Sequence, residues 1–323
     1  MLNIPIPVVM QLKNANNILI MGMGGGFDVF SGLPIYFTLE KMGMNVHLAN
    51  HTHSDWNVMA NHSEIIPMAQ GCVGVSGDLK QASNNFPEAY LSSWFKEVKE
   101  QDVKVWVFRR DQSVKEYSSS LNILIKHLQI DAIILVDGGV DSIMAGDEEG
   151  SGTMMEDTLT LAAIKNVDVP LKMLSCVGFG TEIEEKLSHY LALENMARIT
   201  KQGGFYGSCS LVNFMGCFQE YKDACIHVWN QPDHRKSHIQ PRVISAAEGE
   251  FGDHHMFPME KKADIFISPM SSIYWFFNAD AAIYNNVVIP AIEDKETFYD
   301  AVQVGVPMIK NLVKRVRKEI PLT

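Results

Sequence analysis

Apolar residues in this chain fall into short unbroken runs separated by stretches with helical spacing. Residues 18–21 form such a run and break into glycines, the pattern of a strand buried on both faces. Residues 29–42 follow with helical spacing, and Gly43 can stop that helix. Residues 45–49 predict a second strand, and 64–77 a short strand with a glycine-broken loop. A helix with proline in its first turn is predicted over 87–100, a strand over 103–108, a helix over 113–128 and a strand over 132–136. Beyond an acidic, glycine-rich stretch at 137–157, the pattern predicts a helix over 157–164 and a strand over 171–177. A helix then runs from 182 to about 200, closed by Gly203 and Gly204. Residues 208–229 space as a helix, and 231–262 read as a polar loop or insertion. Residues 263–267 and 273–277 read as strands, and 296–317 as a long last helix. Strands alternating with helices predict one α/β domain over 1–323, built on a doubly wound, mostly parallel sheet.

In such a sheet, ligands sit beyond the carboxyl ends of the strands. Three predicted strand ends carry unusual loops. The first holds Gly22, Gly24, Gly25 and Gly26, four glycines in five positions, and then Asp28. Glycine permits positive φ and close backbone approach, and a following helix N-terminus favours an anion. The spacing is neither a dinucleotide fingerprint nor a Walker loop. Asp28 sits where it can cap that helix or reach a metal held by phosphates. The third loop holds Gly178, Gly180, Thr181 and Glu182.

The second loop, 137–157, carries seven carboxylates in 21 residues, with Gly138, Gly139 and Ser142 near its start. Hard oxygen ligands suit Mg²⁺ bridging to phosphate, and Asp137 and Asp141 lie nearest the strand end. Gly138-Gly139-Val140-Asp141-Ser142 resembles the core of the pyrophosphatase loop of ATP-dependent adenylating enzymes. Gly150 to Glu156 resembles the G-x-G-T-x-x-E motif of nucleoside-monophosphate phosphoribohydrolases. Both resemblances imply nucleotides.

His51-x-His53-x-Asp55 resembles part of the metal-binding run of metallo-β-lactamase-fold hydrolases, with Trp56 in place of the last histidine. The expectation is polar loop histidines without stoichiometric zinc, and the same holds for His234, His238, His254 and His255. Cys176 ends a strand and is expected to be a core thiol.

Composition narrows the partners. A net charge of −11 argues against a nucleic-acid backbone, and no run of 18 apolar residues is present to span a membrane. Five cysteines without C-x-x-C spacing predict reduced thiols and a cytoplasmic location. Lys310, Lys314, Arg315, Arg317 and Lys318 read as the solvated face of the last helix. Homo-oligomerisation stays open.

The first glycine loop with Asp28, Leu33-Pro34, and the run from Asp137 to Asp157 together resemble the domain of unknown function family 1152, from about residue 15 to about 315. Ser151 and Met154 depart from that family's pattern, and Ala145 stands where a basic residue is common. The resemblance implies a Rossmann-like fold and no settled activity.

The reading that follows is a protein that binds a nucleotide or phosphorylated metabolite. As an enzyme it uses Mg²⁺ held near Asp28, Asp137 and Asp141, for phosphoryl or nucleotidyl transfer or hydrolysis, with Asp137, Asp141 and Glu156 as catalytic candidates. Two alternatives stand beside it. One is a metal-independent nucleoside or nucleotide hydrolase in which Glu156 or Asp141 steers water. The other is a non-catalytic sensor using the same loops.

Overall fold

A single apolar strand, β1 (Asn17–Gly22), forms the centre of the sheet. The computed structural model describes residues 7–57, 59, 64–66, 69–78, 86–232, 235–257 and 265–320. β1 pairs in parallel with β2 (Asn45–His51) on one side and β6 (Ala132–Gly138) on the other. β5 (Val105–Phe108) lies parallel beyond β2, and β7 (Leu171–Val177) parallel beyond β6. Each edge is extended by two strands in antiparallel pairing. β4 (Cys72–Val75) and β3 (Glu64–Ile65) extend one edge; β9 (Ile273–Asn278) and β8 (Phe205–Ser210) extend the other. The full order is β3-β4-β5-β2-β1-β6-β7-β9-β8. The fold is therefore α/β with a mixed sheet whose five central strands are parallel.

Both faces of the sheet are covered, because successive side chains of a strand point to opposite sides. Leu19 and Met21 pack with Leu121 and Leu124 of α5 (Val114–Leu128), Leu161 and Ile164 of α6 (Met155–Lys165), and Leu191 of α7 (His189–Lys201). Ile18 and Ile20 join the opposite core. There they meet Phe37 of α3 (Leu33–Lys41), Trp94 of α4 (Pro87–Val98), Phe218 of α8 (Gly216–Trp229) and Val243 of α9 (Ile239–Glu248). The start of α5 is set by a capping box: Ser113 Oγ accepts from the Glu116 N–H at 3.3 Å, and Glu116 returns to the Ser113 N–H at 2.8 Å.

Several expectations are corrected. The helix expected over 29–42 is two pieces, α2 (Asp28–Ser31) and α3, broken at Gly32. A Cβ at Gly32 would lie 2.4 Å from Ile20 Cγ2, so close packing on β1 dictates that glycine. The helix from 182 begins only at His189, with Ser188 as its cap. The start of the helix expected over 208–229 is edge strand β8, whose small polar residues Gly207, Ser208, Cys209 and Ser210 carry no alternating pattern. The polar stretch 231–262 contains α9, which the sequence reading missed. Of the strand expected over 263–267, residues 263 and 264 lie outside the described residues, and Ile267 makes only an isolated bridge to Gly252.

The C-terminus is also different from a solvated helix face. The last helix, Phe298–Asn311, ends early. The chain then lies along the acidic stretch, with the Glu149 N–H donating to the Arg315 carbonyl at 2.9 Å. The Arg315 guanidinium donates to Asp147 at 2.7 Å, to Glu148 at 2.5 Å, to Asn195 at 2.9 Å and to Glu194. Glu148 is fully buried and also accepts the Ala145 and Gly146 N–H groups, each at 2.8 Å. Removing the cation strands a buried carboxylate, which typically costs about 3–5 kcal/mol. Arg315→Met is therefore expected to lower unfolding free energy by about 3 kcal/mol in urea titrations. A loss under about 1 kcal/mol would show that the tail is not a structural clamp.

Candidate functional site

Three loops meet outside the carboxyl ends of β1, β6 and β7. The chain passes from β1 outward to β2 and β5, then crosses back over β1 to β6 and β7. Loops leaving β1 and β6 diverge at that reversal and leave a crevice.

Asp28 bridges the first two loops. Its carboxylate accepts the Gly24 N–H at 2.6 Å and the Gly138 N–H at 3.2 Å. It does not cap a helix through its side chain, and α2 is a single turn, too short to sum a useful dipole. Gly25 has φ 94°, and a Cβ there would lie 2.7 Å from both the His51 carbonyl oxygen and His53 Nε2. Packing of the loop on the end of β2 thus accounts for Gly25. At Gly22 a Cβ would meet Asn50 Oδ1 at 2.3 Å, again close packing. Gly24 is different: its Cβ would point at Asp28 Oδ2 and Asp157 Oδ1, 3.0 and 3.2 Å away. Gly26 (φ 61°) opens to free space, and its carbonyl accepts from Asn50 Nδ2 at 2.9 Å. Asn50 also donates to the buried Glu88 at 2.8 Å, which fixes the loop from below.

The second loop supplies most of the carboxylates. Asp137 accepts the Ser142 N–H at 3.1 Å, and Ser142 Oγ lies 3.2 Å from Cys176 Sγ. Asp141 accepts the Thr153 N–H at 3.1 Å, and the Thr153 hydroxyl lies between Asp141 and Glu185 at 3.0 and 2.9 Å. The first turn of α6 brings in Glu156 and Asp157, and Thr160 of the same helix donates to the Met23 carbonyl at 2.8 Å. Asp157 is 4% exposed, and its Oδ1 is buried without a hydrogen-bond partner. The seven acids of the stretch therefore divide. Asp137, Asp141, Glu156 and Asp157 face the crevice, while Arg315 holds Asp147 and Glu148 and the Arg317 N–H donates to Glu149 at 3.2 Å.

From the third loop only Glu182 reaches the crevice, where it accepts the Val140 N–H at 2.7 Å. Gly139 makes room for it, since a Cβ there would lie 2.5 Å from Glu182 Oε1. Gly178, Gly180 and Thr181 form a self-closed turn in which the Thr181 N–H and hydroxyl donate to the Gly178 carbonyl at 2.9 and 2.6 Å. Gly178 packs under α9 against Ile239.

Among the described residues, two acidic triads have ligand atoms within 4.8 Å of one another: Asp28, Asp137 and Asp157; and Asp141, Glu182 and Glu185. The expected set of Asp28, Asp137 and Asp141 is thus split between neighbouring triads, and Asp157 and Glu185 join them. Asp157 stood at the far end of the acidic stretch, and its approach depends on α6 docking on the first loop. His51, His53 and Asp55 diverge. His51 is buried and stacks on Tyr117 at 5.4 Å; His53 Nε2 lies 3.4 Å from Glu156; Asp55 accepts the Asn57 N–H at 2.9 Å. Of the other histidines, His255 pairs with Asp253 at 3.0 Å and His254 with Glu250 at 3.2 Å, while His234 lies outside the described residues.

The electrostatics separate two kinds of carboxyl group. Desolvation and then neighbouring negative charge push Asp28 and Asp137 up to about 7, against backbone N–H bonds that pull the other way. Burial, reinforced by neighbouring carboxylates, raises Asp141, Asp157 and Glu182 well above the ordinary range. Burial also works to raise Glu156, but the His53 hydrogen bond and the His53 and Arg110 charges hold it low. Arg110 donates to Glu156 at 2.7 Å. Burial raises the Cys176 thiol, as does the Asp137 charge, which fits a core thiol.

Fold and site together define an α/β protein with a carboxylate-lined crevice at the reversal point of its parallel strands. The sequence model of the family described as "Protein of unknown function (DUF1152)" matches residues 79–309. The chain belongs to this family. The match includes Asp137, Asp141, Asp157 and Glu182 and leaves the first glycine loop outside it. No curated protein and no solved structure matches the chain.

These carboxyls bind protons in the fold that they release in the unfolded chain, so stability falls as pH rises from near 4 through the raised folded values. His51, lowered to about 4 by burial, acts in the opposite direction, but only up to its unfolded value of 6.5. In EDTA the melting temperature is therefore expected to fall between about pH 6.5 and 8, and to fall less steeply in Asp157→Asn. A flat or rising profile there would contradict the shared desolvation of these groups.

Proposed function

We propose that this chain binds a nucleotide or another phosphorylated metabolite together with Mg²⁺ in this crevice. The carrying observation is the Asp28, Asp137 and Asp157 triad, with ligand atoms within 4.8 Å and Asp157 Oδ1 buried without a partner. A bare triad of this kind is strongly self-repelling, and a small hard cation with oxygen ligands offsets it. The order of the five central strands, with its reversal between β1 and β6, supports the Rossmann-like form of the α/β fold, in which the reversal point takes a phosphorylated ligand. The reaction class that fits is phosphoryl or nucleotidyl transfer, or hydrolysis, with the cation neutralising developing charge. Five free thiols fit a reducing, cytoplasmic setting.

One observation favours the metal-independent hydrolase as a second reading. Glu156 is kept ionised beside His53 at the rim of the crevice, an arrangement able to orient a water molecule. Turnover that persists in EDTA would select it.

The first reading predicts that Mn²⁺, as a paramagnetic stand-in for Mg²⁺, binds the wild-type protein and binds Asp157→Asn at least about tenfold more weakly. Gly24→Ala, which places a methyl among the carboxylate oxygens without requiring a left-handed backbone, is expected to weaken it too. In a nucleotide thermal-shift panel, a ligand near 100 Kd stabilises by about 2.7 kcal/mol, and that shift is expected with Mg²⁺ and not in EDTA. Absence of Mn²⁺ binding, or equal nucleotide shifts in EDTA, would overturn the reading.

A further inference from the structure

A cleft opens where the last helix, Phe298–Asn311, passes the end of the acidic stretch. It encloses about 550 Å³. Residues 151–156 line it together with Val306, Ile309 and Lys310. Met155, Val306 and Ile309 are half-buried, and Met154 is buried. A cleft of this size, with apolar side chains and a few polar groups among them, has the make-up of a small-molecule site.

Printed contacts on either side tie this cleft to the carboxylate crevice. The last helix docks on the first turn of α6 at Gly305, which is buried; a Cβ there would lie 2.7 Å from Met155 Sδ. The Thr153 N–H and hydroxyl donate to Asp141 at 3.1 and 3.0 Å. Glu156 accepts from Arg110 at 2.7 Å and lies 3.4 Å from His53 at the rim of the crevice. Thr153 and Glu156 line the cleft as well. Cleft and crevice therefore share a border, and one ligand can span both.

The two spaces differ in chemistry. The crevice offers carboxylate oxygens, which take a hard cation and, through it, a phosphate. The cleft offers thioether and aliphatic carbon from Met155, Val306 and Ile309. Such groups suit an apolar ring: a methionine side chain adapts to its outline, and sulfur packs well against aromatic edges. A small phosphorylated metabolite would use the crevice and gain nothing from the cleft. A nucleotide would use both. We propose that the cleft holds the nucleoside end of a nucleotide whose phosphates lie on the cation at the carboxylates. This rests on the cation–phosphate reading above, and it chooses the nucleotide over the other phosphorylated metabolites that reading allows.

The test uses the full chain in Mn²⁺ and compares ATP, GTP, CTP and UTP with inorganic tripolyphosphate, which carries a similar charged chain and no nucleoside. Free concentrations are corrected for the complexes formed in solution. At least one nucleotide is expected to bind about tenfold or more tighter than tripolyphosphate, the gain coming from the apolar surface its ring buries. In the double variant Val306→Asn/Ile309→Asn, which makes the cleft polar without changing its charge, that gain is expected to vanish while tripolyphosphate binds as in the wild type. The unchanged tripolyphosphate affinity also shows that the variant is folded. Val306→Trp, which fills the cleft and is likewise neutral, is expected to give the same loss and decides the matter if the double variant does not fold. If tripolyphosphate binds in Mn²⁺ and no nucleotide binds tighter, or the gain survives in these variants, the nucleoside site is overturned and the cation–phosphate reading stands. If neither tripolyphosphate nor any nucleotide binds in Mn²⁺, both are overturned.

Discussion

Asp28, Asp137, Asp141, Asp157 and Glu182 crowd into one crevice, four of them buried. At an effective dielectric near 20, two carboxylates about 4.8 Å apart repel by about 3 kcal/mol. Repulsion of that size across several pairs exceeds what a few backbone N–H bonds return. Protons or a cation must make up the difference, and the surrounding structure serves that requirement. N–H groups of Gly24, Gly138, Val140, Ser142 and Thr153 each point at one of these acids. Asp157 Oδ1 is buried with no hydrogen-bond partner among the described residues.

The topology places the acids there. Parallel strands deliver their carboxyl ends to one edge, and the reversal between β1 and β6 opens a gap at that edge. Asp147 and Glu148 of the central loop are drawn away by the C-terminal segment through Arg315. One acidic stretch thereby becomes two functions, a structural anchor and a candidate ligand shell. The division depends on a cation more than 160 residues downstream in the chain.

Much of this frame was legible in the sequence. The runs ending at Met21 and Val136 are continuous and apolar, and buried parallel strands demand that pattern. The glycine loop, Asp28, Asp137 and Asp141 followed from their places at strand ends. Edge strand β8 did not, because it is covered on too little of its surface to need alternation. Helix α9 was hidden by the polar residues flanking it. Asp157 was out of reach for a different reason. Its approach is set by how α6 docks, through Thr160 to Met23, and such a contact between distant segments leaves no local spacing to read.

The account turns on whether the repulsion among these carboxylates is relieved by a metal. Anomalous diffraction from crystals grown with Mn²⁺ near pH 8 measures this directly, since Asp28 and Asp137, pushed up to about 7, are then largely free of protons. An anomalous peak bonded to Asp28, Asp137 and Asp157 oxygens at about 2.0–2.3 Å is the predicted result. A map at saturating Mn²⁺ with no peak inside that triad would contradict it.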